Sequence, residues 1–357
     1  MDIAVVGGGI NGLCVAWQLA EAGHKVSLYE RDQLMGATSS ASSKLLHGGL
    51  RYLEQGHWQL VKTGLAERRW WLDNVPQLTQ SLPLIYPLYQ QGRRRRWQLK
   101  LGLTLYDALA GRQGLGRHQW LSREAVLHQV PNLRSRGLLG GYLFLDGQMD
   151  DKALGLWVAE QCRLAGVQIF EQHPVLALDA KGTVALADGL AQFDAVINVA
   201  GPWSQALLQQ SGLAVEQPLD LVRGSHLLLS GQRSCGLMLE VPGEARLVFL
   251  LPYGGQSLLG TTEVRHELDQ PIQCSEAETR YLLNCYNHYL MPSLTEGDVV
   301  ASFAGVRPLL AGSLDPSKAS RDFQLSRQGR VLTVSGGKWT TARALARTLV
   351  AKLGDES

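Results

Sequence analysis

The sequence predicts a mixed α/β (α+β) fold in which a parallel-sheet lobe is interleaved with an antiparallel-sheet lobe. Three observations carry that expectation. The chain opens on a strand, a glycine turn and a helix; strand and helix blocks of the same kind return near residue 147 and near the end; and between them apolar residues alternate with period two, punctuated by Pro and Gly. At 357 residues there is chain enough for two or so lobes of roughly 150 residues.

Residues 3–6 read as a short apolar strand, 11–22 as a helix ending before Gly23, and 25–30 as a second strand, which together make a βαβ unit. The second block begins near Gly147 with a helix over 151–165 that stops at Gly166. Short strands follow over 167–170, 175–178, 183–187 and 195–199, the last closed by Ala200-Gly201-Pro202. Alternating strands over 226–229, 246–251 and 257–260 form the antiparallel part. The final block is a strand over 331–335, the Gly336-Gly337 turn and a helix from 340 toward 353. The blocks interleave, so each lobe is expected to be discontinuous: 1–75, 147–222 and 300–357 in one, 76–146 and 223–299 in the other.

Composition removes several function classes. Lys+Arg 34 against Asp+Glu 32 leaves +2, so nothing global marks a nucleic-acid partner, and 45% hydrophobic residues exclude a disordered chain. Cys14, Cys162, Cys235, Cys274 and Cys285 are odd in number and scattered, without a C-x-x-C or Cys/His cluster; neither a disulfide framework nor a metal site is expected, and a reducing cytoplasm fits. No run of about 18 apolar residues is present, and the N-terminus enters a strand with no signal-like region. Secretion and integral membrane insertion are not expected.

Charge is nevertheless uneven. Residues 85–117 hold seven basic residues against the single Asp107, a net +6, which leaves the remainder at −4. Arg93, Arg94, Arg95 and Arg96 run directly into Trp97, Leu99, Leu101, Leu103, Leu105, Tyr106 and Leu109. Two readings stand: a solvated basic loop, or a membrane-surface segment over 93–109 with cations for anionic headgroups and apolar bulk for the acyl boundary. The spacing is equally open, since the leucines alternate with period two while Trp97, Leu101 and Leu105 fit a helical stripe.

Gly7-Gly8-Gly9-Ile10-Asn11-Gly12 supplies G-x-G-x-x-G between the first strand and helix, with acidic Glu30 closing the second strand. Gly7 permits the tight turn, Gly9 lets backbone approach a pyrophosphate at the helix N-terminus, and Gly12 brings helix and strand together; Glu30 suits the hydroxyls of an adenosine ribose. The fingerprint indicates a dinucleotide and does not by itself choose NAD or FAD. The loop after Glu30, through Arg31, Thr38, Ser39, Ser43 and Leu45, is rich in hydroxyls and suited to wrapping a long, two-ended cofactor.

From that loop onward the chain resembles the FAD-dependent glycerol-3-phosphate dehydrogenases of the D-amino-acid-oxidase-like flavoprotein superfamily. The resemblance continues in order through Ala200-Gly201-Pro202-Trp203, Arg223-Gly224-Ser225-His226, Gly260-Thr261-Thr262-Glu263, Gly305-Val306-Arg307-Pro308, Ser320-Arg321-Asp322 and Gly336-Gly337-Lys338-Trp339-Thr340-Thr341. It implies a Rossmann-like FAD-binding lobe beside a substrate lobe, with FAD held by Gly7, Gly9, Gly12, Glu30, Arg31, Thr38, Ser39, Ser43, Leu45, Ala200, Gly201, Trp203, Gly337 and Thr340. Glu263 stands where Asp is expected and Arg223 where Lys is common. Family members carry a further helical domain after the last shared helix, whereas here Ala344 to Ser357 follow, the pattern of a short form.

The implied activity is oxidation of sn-glycerol 3-phosphate to dihydroxyacetone phosphate. It needs a base, a hydride route to flavin N5 and cations that hold an anion. The resemblance assigns His226 as base and Arg307 to the reacting oxygen. It places Arg51, Tyr52, Arg321 and Lys338 around the phosphate, a group suited to forked cations. The helix N-terminus at Thr340 and Thr341 would face the flavin pyrimidine edge. A quinone or other acceptor at the inner face of the membrane is the implied partner. Two other readings remain: a flavoprotein acting on another small anionic hydroxy or amino acid, and a flavin-binding membrane-surface protein without catalysis.

Overall fold

The computed structural model describes residues 1–53, 56–311 and 323–354. A six-stranded sheet runs in the order Phe323–Gln328, Val331–Gly336, Ala195–Asn198, Asp2–Val6, Lys25–Tyr29, Gln168–Phe170. Its neighbours are parallel except for the antiparallel edge hairpin at Phe323–Gln328. Ile3, Ala4 and Val5 are fully buried, as a parallel strand covered on both faces requires. Helices Ile10–Glu21, Asp151–Leu164 and Ala342–Gly354 cover one face through Leu13, Leu19, Leu154, Val158, Leu345 and Leu349. The other face carries a three-stranded sheet, Ala177–Leu178, Thr183–Leu186 and Gly189–Gln192, and the helix Ser204–Gln210. Helix boundaries follow the local signals: Asp150 accepts a hydrogen bond from the Ala153 N–H, and Gly23 and Gly166 end their helices at positive φ.

The second sheet has ten strands, largely antiparallel, built around two long pairs: Thr79–Tyr89 with Leu138–Met149, and Leu219–Leu229 with Val299–Leu310. Helix Glu276–Tyr289 packs Leu282, Leu283 and Tyr286 on one face, and helix Arg96–Ala110 packs Leu99 and Leu103 on the other. Here the lobes divide differently from the sequence expectation. Residues 300–310 and 219–222, placed in the parallel lobe, pair from Leu219 with Leu310 to Leu229 with Val299 inside the antiparallel sheet, so the chain changes lobe at strand ends rather than within strands. Residues 147–149 likewise complete the strand Leu138–Met149.

The ambiguous 97–109 stretch is helical. Leu99, Leu103, Tyr106 and Ala110 face inward at helical spacing, which leaves Trp97 (63% exposed) and Leu101 (62%) on the outside. Arg94 is turned away from solvent: its guanidinium lies 3.4 Å from Glu240, whose carboxylate also accepts the Arg93 and Arg94 N–H groups. Arg96 stacks on the Trp120 ring at 3.9 Å. The four arginines therefore do not form one solvated run.

Candidate active site

The end of the first strand makes the cradle. Gly7 adopts φ +116°, and a Cβ on Gly12 would lie 1.9 Å from the Gly7 carbonyl oxygen, so no side chain fits where helix and strand meet. Glu30 is fixed at the end of the second strand by the Gly8 N–H (2.6 Å) and Asp32 N–H (2.9 Å). Ser39 accepts the Ile10 N–H at 3.0 Å, and Thr38 donates to the Val306 carbonyl at 2.7 Å, tying the hydroxyl loop to the first helix and to the antiparallel sheet. The Arg31 guanidinium lies over the Trp203 ring, 3.9 Å from its centroid. These groups open onto a cavity of about 450 Å³ whose wall contains every residue expected at the cofactor except Gly12, which acts behind it.

A second cavity of about 700 Å³ shares Ser43, Leu45, His47, Tyr52, Thr261 and Arg307 with the first. The shared wall holds Tyr52 and Arg307, while His226 and Lys338 line the first cavity alone. Arg307 donates to the Thr262 carbonyl at 2.8 Å and faces Glu263 at 3.7 Å, and Glu263 in turn meets Arg246 at 3.3 Å. Lys338 Nζ stands 3.5 Å over the Tyr52 ring. Arg51 falls in the short helix Leu50–Leu53 with its side chain outside the described residues, as is the whole of Arg321.

His226 is buried. Its Nε2 lies 2.9 Å from the Ser43 hydroxyl and its ring stacks on Phe303 at 4.9 Å, while Nδ1 meets no partner among the described residues. Burial, reinforced by the charges of Arg307 and Lys44, lowers its pKa to about 3, so the imidazole is neutral at working pH.

Three supporting groups escaped the sequence reading. Lys44, at φ +58°, buries its ammonium 2.6 Å from Asp151, which also accepts the Ser42 hydroxyl and N–H; this network pins the loop that carries Ser43. Glu278 accepts from Arg223, Ser225, Thr262 and Ser275, at 2.6–2.8 Å through their side chains, and so locks the strand bearing His226 to the carbonyl that orients Arg307. Burial opposes its charge, but those hydroxyl donors hold the carboxyl down to about 2. Ser275 and Glu278 form a capping box legible in the sequence. His47, on the wall of both cavities, stood in the Leu46-His47-Gly48-Gly49 stretch, and its position between a hydroxyl loop and two glycines was the available signal.

The cavity suits a flavin adenine dinucleotide on its own chemistry: a glycine turn with no room for side chains, a positioned acid, and hydroxyl and backbone donors along one wall. The family model for FAD dependent oxidoreductases (DAO) matches residues 2–352. A glycerol-3-phosphate dehydrogenase of Pseudomonas aeruginosa is 35% identical over 99% of this chain and 71% of its own length. Among solved structures, the glycerol-3-phosphate dehydrogenase of Bacillus halodurans complexed with FAD superposes with a TM-score of 0.80 at 23% identity; all of this chain is covered, and the chain spans 64% of that protein. The L-alpha-glycerophosphate oxidase of Mycoplasma pneumoniae with FAD bound gives 0.79 at 20% identity, covering 98% of this chain and 93% of that one. A cradle built for an adenosine pyrophosphate, a match along nearly the whole chain and relatives of this identity make the chain a member of the FAD dependent oxidoreductase family, in its group of FAD-dependent glycerol-3-phosphate dehydrogenases.

Proposed function

We propose that this chain oxidises sn-glycerol 3-phosphate to dihydroxyacetone phosphate and passes the electrons to a quinone-type acceptor at a membrane surface. The observation that carries this reading is the convergence of Arg307, Lys338 and Tyr52 on cavity walls that adjoin the cofactor cradle. Bound FAD supplies the hydride acceptor. The chain's own groups do the rest. Lys338, with Arg51 and Arg321 from the family resemblance, holds the phosphate. Arg307, its guanidinium fixed by the Thr262 carbonyl and Glu263, meets the oxygen on which negative charge develops. Neutral His226 takes the hydroxyl proton, with Ser43 as its immediate hydrogen-bond partner.

Anaerobic titration tests the substrate. Bound flavin should bleach with glycerol 3-phosphate and not with glycerol, because the cations need a phosphate to hold. Bleaching by a small amino acid instead would return the site to the alternative reading of an oxidase or dehydrogenase for another small anion.

The membrane part rests on the outer face of helix Arg96–Ala110. Trp97 and Leu101 line the larger cavity together with half-exposed Trp58, so an apolar acceptor has an apolar approach toward the wall that holds Arg307. Arg93, Arg95 and Lys100 are exposed around that face. No described helix is long and apolar enough to cross a membrane, so the attachment proposed is peripheral, at the cytoplasmic face. Anionic vesicles should bind the protein in a salt-sensitive way, at about 1 kcal/mol per basic residue near the surface. Replacing Arg93, Arg95 and Lys100 with Gln should release it while reduction by a soluble dye is kept. Equal sedimentation of parent and variant would leave the helix a solvated surface.

A further inference from the structure

Five of the nine tryptophans form one continuous file. Trp339, on the wall of the cofactor cavity, meets Trp71 with ring centroids 5.6 Å apart. Trp71 meets Trp70 at 5.1 Å, Trp70 meets Trp17 at 6.4 Å, and Trp17 meets Trp157 at 6.0 Å. The file crosses from the turn after the last strand of the parallel sheet, over helix Trp58–Asn74, to helices Ile10–Glu21 and Asp151–Leu164. Trp71 is fully buried, whereas Trp70, Trp17 and Trp157 are partly exposed.

We infer that this file is a hole-transfer path, by which an electron is drawn from the surface of the parallel lobe to a strong one-electron oxidant in the cofactor cavity. The chemical class of that oxidant is the light-excited isoalloxazine of the bound FAD. Indole is among the most readily oxidised protein side chains, and tilted or edge contacts at these separations put successive π-systems in van der Waals contact. The indoles nearest the cavity are also tuned for the task. Trp339 donates its N–H to the Ser39 carbonyl at 3.0 Å and Trp71 to the Thr340 carbonyl at 3.2 Å, and a carbonyl acceptor stabilises the acidic N–H of an oxidised indole.

One charge opposes the path. The Arg343 guanidinium lies 3.2 Å over Trp70 and 5.8 Å from Trp71, which disfavours a positive hole there. Buried Glu67 accepts from Arg343 at 3.1 Å and also from Arg347, so its single negative charge, shared between two guanidiniums, offsets that penalty only in part. The step balances as one electron leaving Trp339 for the excited flavin and one electron moving inward along each indole pair. The hole ends on Trp17 or Trp157, whose N–H proton passes to water. With no added donor, the electron later returns from the flavin and the proton is taken back.

The experiment is a single blue flash on the FAD-loaded protein, with transient absorption of the tryptophan radical. It needs no glycerol 3-phosphate, so it is independent of the substrate assignment. The parent should show a tryptophan radical whose decay slows in heavy water, the mark of proton loss at the surface. In Trp70→Phe the hole is confined to Trp339 and Trp71, so the long-lived signal should be lost while flavin fluorescence stays quenched. Trp17→Phe, on a partly exposed helix face, should likewise lose the heavy-water-sensitive phase, and retained FAD reports that either variant has folded. Radical decay in both variants matching that of the parent would overturn the path and leave the file as packing.

Discussion

With His226 replaced by alanine, flavin reduction by saturating glycerol 3-phosphate is expected to slow by roughly 10²- to 10⁴-fold, the usual reach of a positioned general base. The structure adds a pH signature. Burial first, then Arg307 and Lys44, lower the imidazole pKa to about 3, so the neutral, proton-accepting form is fully present above that value and is lost only as pH falls through it. The parent's reduction rate should therefore show no inflection near the ordinary histidine value of about 6.5. A low pKa makes the imidazole a weak acceptor in bulk terms. Its contribution is a fixed geometry beside Ser43, together with a guanidinium that lowers the energy of the developing alkoxide. Stopped-flow single turnovers read this step before any acceptor chemistry. Bleaching of the His226→Ala variant at the parent rate would remove His226 from the role.

Gly12→Val should yield colourless protein. The added Cβ alone would lie 1.9 Å from the Gly7 oxygen and 3.0 Å from its carbonyl carbon, both of them backbone atoms. Relief requires the first helix to move off the first strand, at an overpacking cost of about 1–3 kcal/mol or more. Moving Gly7 opens the turn meant for the pyrophosphate, so FAD loss should exceed what the stability loss alone would give. Absorbance of bound flavin per protein after gel filtration, beside a thermal melt, separates the two. A variant that keeps full flavin content would show that the close helix–strand approach is dispensable for binding.

Most of the cofactor cradle was legible because its signals are local. A glycine at a left-handed turn, a helix that starts where glycines permit close approach, and an acid at the end of the next strand lie within about thirty residues. The strands around residue 226 were legible only in part, since alternation marks a face but not the length over which a partner runs. Leu219–Leu229 reaches its full span because Val299–Leu310 pairs along it, some eighty residues away in the chain. Helices Trp58–Asn74 and Glu276–Tyr289 and the long strands Thr79–Tyr89 and Leu138–Met149 were not resolved in the sequence, although the Ser275–Glu278 box announced one of them.

What the sequence by itself determined was the βαβ fingerprint, the α/β class and the order of motifs that identifies an FAD oxidoreductase, because glycine spacing and hydrophobic period act over a few residues. Tertiary structure alone decided which face of the 97–109 stretch looks outward, that Arg94 turns inward to Glu240, and that Lys44 and Asp151 hold the hydroxyl loop. It also decided the protonation state of His226. Burial, opposite charge and close packing arise between residues brought together from distant parts of the chain: Lys44 and Asp151 are 107 positions apart, and Ser43 and His226 are 183. Their energies depend on solvent exclusion at the assembled site, a property no local stretch of sequence possesses.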